Sequence, residues 1–93
     1  MSEYIIDLDG VETEEDVQDR VVDSLPLPDY YGRNLDALYD VLSEQGDEMD
    51  ITIVNREGAD QDIQPYIDDL VEVMEDVSTQ VDDFTVRVED SLD

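Results

Sequence analysis

The chain has 93 residues and carries 29 acidic against four basic side chains, for a formal net charge of -25 at pH 7. That length suits one domain, residues 1–93, with too little chain for a lid, a second domain or an enclosed cofactor. Cysteine and histidine are both absent, which excludes a disulfide framework and the commonest zinc ligand and general base, and the charge excludes the basic footprint that nucleic acids and anionic membranes require.

Residues 4–8, YIIDL, are short, β-branched and apolar, and read as a first strand punctuated by Gly10. Thr13 can cap a helix whose first turn holds Glu14, Glu15 and Asp16, where the helix dipole favours negative charge. Val17, Val21, Val22 and Leu25 then fall on one face, and Pro26 and Pro28 end the helix. Residues 29–32, DYYG, form a loop, and Asn34 is a candidate cap for a second helix running to about Ser43. Residues 45–50, QGDEMD, break the chain before a second strand at 51–55, ITIVN. A turn at 56–60 and one short helical turn at 61–64 lead to Pro65, which opens a longer helix over about 65–80. Its stripe is Ile67, Leu70, Val71, Met74, Val77 and Val81; residues 83–88, DFTVRV, are the last strand and 89–93 a frayed acidic tail.

The order is strand, two helices, strand, short helical turn, helix, strand. Every link between strands is long and helical, as parallel strands require. The expectation is an α/β protein, a small three-stranded parallel sheet packed with three to four helices.

Catalytic and metal motifs are absent. In DLDG, Gly10 follows Asp7 by three, which does not fit an EF-hand loop. No phosphate-binding glycine motif occurs, and no serine has a histidine or lysine to activate it. With this many acids, any carboxylate pair arises by chance, so the chain is not expected to be an enzyme, and no cofactor or metal is expected. Nor does the N-terminal stretch look like a signal peptide, or any apolar run like a membrane span. A cytoplasmic protein, monomeric when free, is expected.

The acids run from Glu3 to Asp93. That spread suits adaptation to high salt, where screening relieves self-repulsion. A local acidic face for a basic partner remains open within it. The second helix is the candidate. At about 100° per residue, Leu35, Leu38, Val41 and Leu42 share one side, while Asp36, Tyr39, Asp40 and Ser43 share the other. A tyrosine between two aspartates on a rigid helix has the composition of a binding hot spot. Equally open is a Tyr39 packed on a neighbouring loop with solvated aspartates around it. On the last helix Asp76 points outward and Val73 edges the stripe, as a rim contact or as part of a wide apolar face.

Residues 25–42, LPLPDYYGRNLDALYDVL, closely resemble the signature of the barstar family, intracellular inhibitors of barnase-type ribonucleases. The resemblance is dense over this stretch and looser over most of the remaining chain. It implies a small parallel sheet with helices, and a protein that plugs the active-site cleft of a basic ribonuclease with the second helix and the loop before it. Tyr30, Gly32, Asn34, Leu35, Asp36, Tyr39 and Asp40 would be the contacts of that segment, Val73 and Asp76 those of the last helix. Asp40 would reach deepest, in the place of a substrate phosphate. Such a protein would serve as an antitoxin or immunity partner. The chain departs from the type pattern at Tyr39 (tryptophan there), Asp76 (glutamate), Arg33 (an acid) and Val41 (a cysteine). Arg33 and Asp76 motivate an alternative, a salt-adapted scaffold or regulator of the same fold that binds an unrelated basic protein. Clustered carboxylates such as Asp68, Asp69 and Glu72 leave a third, low-affinity binding of divalent cations.

Overall fold

Alternation along three short strands divides the sheet into an apolar and a polar side. The computed structural model describes residues 2–45 and 48–89. Strands β1 (Ser2–Asp7), β2 (Met49–Val54) and β3 (Phe84–Glu89) lie in the order β1-β2-β3, and both pairings are parallel. Across the sheet, Tyr4, Ile51 and Val86 align on one side, as do Ile6, Ile53 and Val88. This side carries the core. The next row, Ile5, Thr52 and Arg87, faces the other way. Parallel sheets are usually covered on both faces. Here Ile5 is 63% exposed, and Arg87 reaches from β3 to Thr52 Oγ1 at 3.4 Å and Asp50 at 3.7 Å.

Three α-helices cover the apolar side. Helix α1 (Glu14–Ser24) starts at a reciprocal cap in which Asp16 N–H donates to Thr13 Oγ1 at 3.1 Å while the Asp16 carboxylate accepts from Thr13 N–H. Helix α2 (Leu35–Gln45) is capped by Asn34, whose Oδ1 accepts from Ala37 N–H at 2.8 Å. Two 3-10 turns, Arg56–Gly58 and Gln61–Ile63, lead into α3 (Gln64–Gln80), with Pro65 in its first turn, where a missing N–H costs nothing. Val17 and Val21 from α1, Leu38 and Leu42 from α2, and Ile67, Leu70, Met74 and Val77 from α3 join Ile6, Ile51, Ile53 and Phe84 in one core.

The fold class matches the expectation. The strand ends differ for identifiable reasons. β1 begins at Ser2 because Met49 and Phe84 extend the buried side to that row. The same burial starts β2 at Met49, inside the stretch read as a break. Leu8 lies past β1, yet its N–H still donates to Val54 O at 3.0 Å. Glu89 is the last residue of β3, paired with Val54, and not part of a tail. The rest of the expected tail, 90–93, lies outside the described residues.

Every arginine is engaged by a group of the chain itself. Arg20 donates to the carbonyls of Asp7 (2.6 Å) and Asp9 (3.0 Å), tying α1 to the end of β1. Arg33 pairs with Asp19, Arg56 with Asp68, and Arg87 with Asp50. The acidic excess is therefore balanced at a few structural points and elsewhere left to solvent.

Two outcomes follow from this charge arrangement. The melting temperature should rise between low and molar salt as self-repulsion is screened; a flat curve in a thermal melt series would refute it. Hydrogen bonds from the Glu12 and Thr13 N–H groups hold the Asp16 carboxyl below its ordinary 3.8. A lowered folded pKa gives stability that is present above the unfolded value and lost as pH falls through the folded one. Asp16→Asn should therefore melt below the wild type at pH 7, and the gap should close as the pH falls below the ordinary aspartate range and the carboxyl protonates in the folded state.

Candidate protein-binding site

The exposed side of α2 and the facing side of α3 enclose an open groove of about 480 Å³, lined by Leu35, Asp36, Tyr39, Asp40, Val73 and Asp76. Helical spacing explains the set. Asp36 and Asp40 are one turn apart, with Tyr39 beside them, and Leu38, Val41 and Leu42 anchor the opposite face in the core. Two of the carboxylates come from α2 and the third, Asp76, from α3, and no basic side chain lines this groove. Asp36 and Asp40 repel each other by a few tenths of a kcal/mol, a cost that an incoming cation would relieve.

Six of the nine residues named from sequence thus meet in one groove. The other three, Tyr30, Gly32 and Asn34, sit in the loop that delivers α2. Tyr30 is 79% exposed, whereas its neighbour Tyr31 is buried. The Tyr31 N–H closes a turn onto Pro28 O at 3.1 Å. Gly32 sits at a close approach: a Cβ there would stand 3.2 Å from that of Ala37, tighter than an ordinary contact. Arg33 adopts a left-handed backbone (φ 56°), which turns the chain so that Asn34 can cap α2. Its guanidinium is directed to Asp19 on α1, so the positive charge expected to oppose a basic partner is already paired.

One expectation for α2 is corrected, and one left open is resolved. Ser43 does not join the exposed side: its Oγ is buried and has no hydrogen-bond partner among the described residues. Tyr39 is half-buried and packs against the core, while one side of it forms groove wall. It therefore combines the two readings left open. Val73 likewise is half-buried and forms groove wall.

Sequence reading missed what stands beneath the loop. Gln18 of α1 is 2% exposed; its Oε1 accepts from Tyr31 O–H at 2.5 Å and its Nε2 donates to Tyr66 Oη of α3 at 2.8 Å. Burial pushes the Tyr31 hydroxyl up to about 12, with the neighbouring Tyr66 adding to the shift, and burial raises Tyr66 as well. A second groove of about 470 Å³ opens beside this cluster, walled by Glu14, Glu15, Arg33 and Tyr66, and shares Leu35 and Asp36 with the first. The one available signal was a glutamine at i−3 to Val21 and i−7 to Leu25, on the apolar face of α1. No three carboxylates converge on a metal-sized site among the described residues, and Asp68 of the candidate cation cluster is engaged by Arg56.

This face, a tyrosine among carboxylates on a helix presented by a tyrosine-glycine loop, can be compared with known proteins. The model of the family described as "Barstar (barnase inhibitor)" matches residues 1–90. The chain belongs to the barstar family. A Bacillus subtilis (strain 168) protein described as "Putative ribonuclease inhibitor YrdF" is 36% identical over 91 residues, covering 96% of this chain and all of that relative. Barstar membership sets the chain among protein inhibitors, not enzymes.

Within this barstar-family chain, Ser43 offers a direct check on the packing of α2. An orphaned buried hydroxyl carries a desolvation penalty with no compensating bond. Ser43→Ala should therefore keep or raise stability, by up to about 1 kcal/mol in urea unfolding. A loss of more than that would mean the hydroxyl has a partner.

Proposed function

We propose that the protein inhibits a basic ribonuclease of the barnase type by laying α2 and the loop at 26–34 across the enzyme's active-site cleft. The observation that carries this reading is the groove in which Asp36, Tyr39, Asp40 and Asp76 meet with no cation of the chain's own among them. Family membership supports ribonuclease inhibition; the groove supports the face that performs it. In this reading Asp40 occupies the place of a substrate phosphate, because a carboxylate accepts two parallel hydrogen bonds from an arginine fork. Tyr39 supplies a rigid aromatic wall, and Asp36 adds charge from the first turn of α2. Leu35 and Val73 exclude water around them. Tyr30, Gly32 and Asn34 contact the enzyme from the loop, and Asp76 from α3.

The protein acts as one domain, a monomer in the cytoplasm, and needs no cofactor. It protects its own cell from a ribonuclease as an antitoxin or immunity protein does. The acidity of the remaining surface is an adaptation to a salt-rich interior. At about 1 M salt the Debye length is about 3 Å, so binding there depends on close, desolvated pairs and not on long-range steering. The alternative, an unrelated basic partner, draws on the short Asp76 side chain. The Arg33–Asp19 pair weakens it, since the charge that argued against a basic ribonuclease is neutralised within the fold.

Barnase inhibition, measured with a fluorogenic RNA substrate, is the test. Wild type should inhibit, and Asp40→Ala should weaken inhibition roughly 30- to 100-fold, the loss of a hydrogen bond to a charged, desolvated group. Tyr39→Ala should also weaken it. Equal inhibition by all three proteins would remove the site; no binding of barnase by the wild type would favour the alternative.

A further inference from the structure

We propose that Gln18, which does not itself line the groove that meets the partner, is a positioning residue that sets the geometry of the binding loop. The proposal rests on the inhibitor reading for its effect on affinity, and on the structure of the free protein for the clamp itself. Gln18 lies on the buried side of α1 with Val17 and Val21, where an apolar side chain would suffice for packing. A buried amide is unfavourable unless both of its ends are bonded. Both are, and each to a different segment: Oε1 to Tyr31 of the loop, Nε2 to Tyr66 in the first turns of α3. One side chain thereby joins α1, the loop and α3.

The consequence runs through Tyr31. Its hydroxyl is 2.5 Å from Gln18 Oε1 and 3.3 Å from the carbonyl of Asn34. The ring is thus fixed at one end by Gln18 and lies against the residue that caps α2 through Ala37 N–H. Tyr30, one residue before, and Asn34, three after, are both expected contacts, and neither bonds directly to α1 or α3 in any interaction recorded among the described residues. Their placement is inherited from Tyr31. A tyrosine hydroxyl is a neutral donor at ordinary pH, and burial extends that range upward for Tyr31, so the clamp does not release on titration. A loop already held in its bound shape avoids the ordering cost that a mobile one meets on association.

The role separates from plain stability by choice of variants. Gln18→Leu and Tyr31→Phe should each weaken binding of barnase about tenfold, and the double variant should lose less than the two single losses combined, because they share the Gln18–Tyr31 bond. Ile51→Val, in the buried centre of β2, should lower the melting temperature yet bind barnase like the wild type. In the free protein, amide hydrogen exchange at residues 29–34 should speed up in Gln18→Leu and stay unchanged in Ile51→Val. Wild-type affinity in a folded Gln18→Leu, or affinity that simply tracks melting temperature across the set, would overturn the effect on binding. Unchanged exchange in Gln18→Leu would overturn the clamp. If wild type fails to bind barnase, the inhibitor reading falls, and exchange alone decides the clamp.

Discussion

Twenty-nine carboxylates have to be kept in water while three helices are pressed onto one side of three parallel strands. The rest of the structure depends on meeting that constraint. The core meets it with hydrophobic side chains: apart from Gln18 and Thr52, every buried side chain among the described residues is hydrophobic. The four arginines meet it at the seams, joining α1 to β1, α1 to the loop, the 3-10 turn to α3, and β3 to β2. Elsewhere the helices turn their acids outward. An acidic groove is then a natural product of the fold where two such helices lie side by side, and α2 and α3 do so.

What makes this groove more than a generic acidic surface is Tyr39. A solvated tyrosine between aspartates would be mobile. Here the ring is half-buried on the core, which holds its exposed edge in place between the two exposed aspartates. The same helix therefore carries core packing on one side and the groove proposed for recognition on the other, and Leu35 belongs to both, half-buried on the core and part of the groove wall.

Much of this was legible in the sequence because the signals were local. The Thr13 and Asn34 caps, Pro65 in the first turn of α3 and the α3 stripe each follow from a few neighbouring residues, and each is present. Six groove residues were placed by helical spacing and by family resemblance together. The features that escaped depend on partners distant in the chain. Met49 joins β2 because Phe84 lies beside it, 35 residues later. Ser43 turns inward although its position on the helical wheel points out. Arg33 looked like a misplaced charge until Asp19 was found opposite it. Gln18 and Tyr66, 48 residues apart, meet only in the fold.

Charge and rigidity are linked at this site. In the proposed reading, the attraction this acidic surface exerts on a basic partner at low salt loses its reach as salt rises, because screening cuts off interactions beyond a few ångströms. Contacts inside the desolvated interface keep their strength, but only if the groups arrive at hydrogen-bonding distance. In high salt the affinity therefore rests on geometry more than on net charge. Tyr39 wedged on the core, Gly32 against Ala37 and Tyr31 bonded to Gln18 all act on geometry. In the proposed reading, an acidic inhibitor working in salt gains from a tightly held binding loop, and the amide beneath the loop is bonded to it through Tyr31.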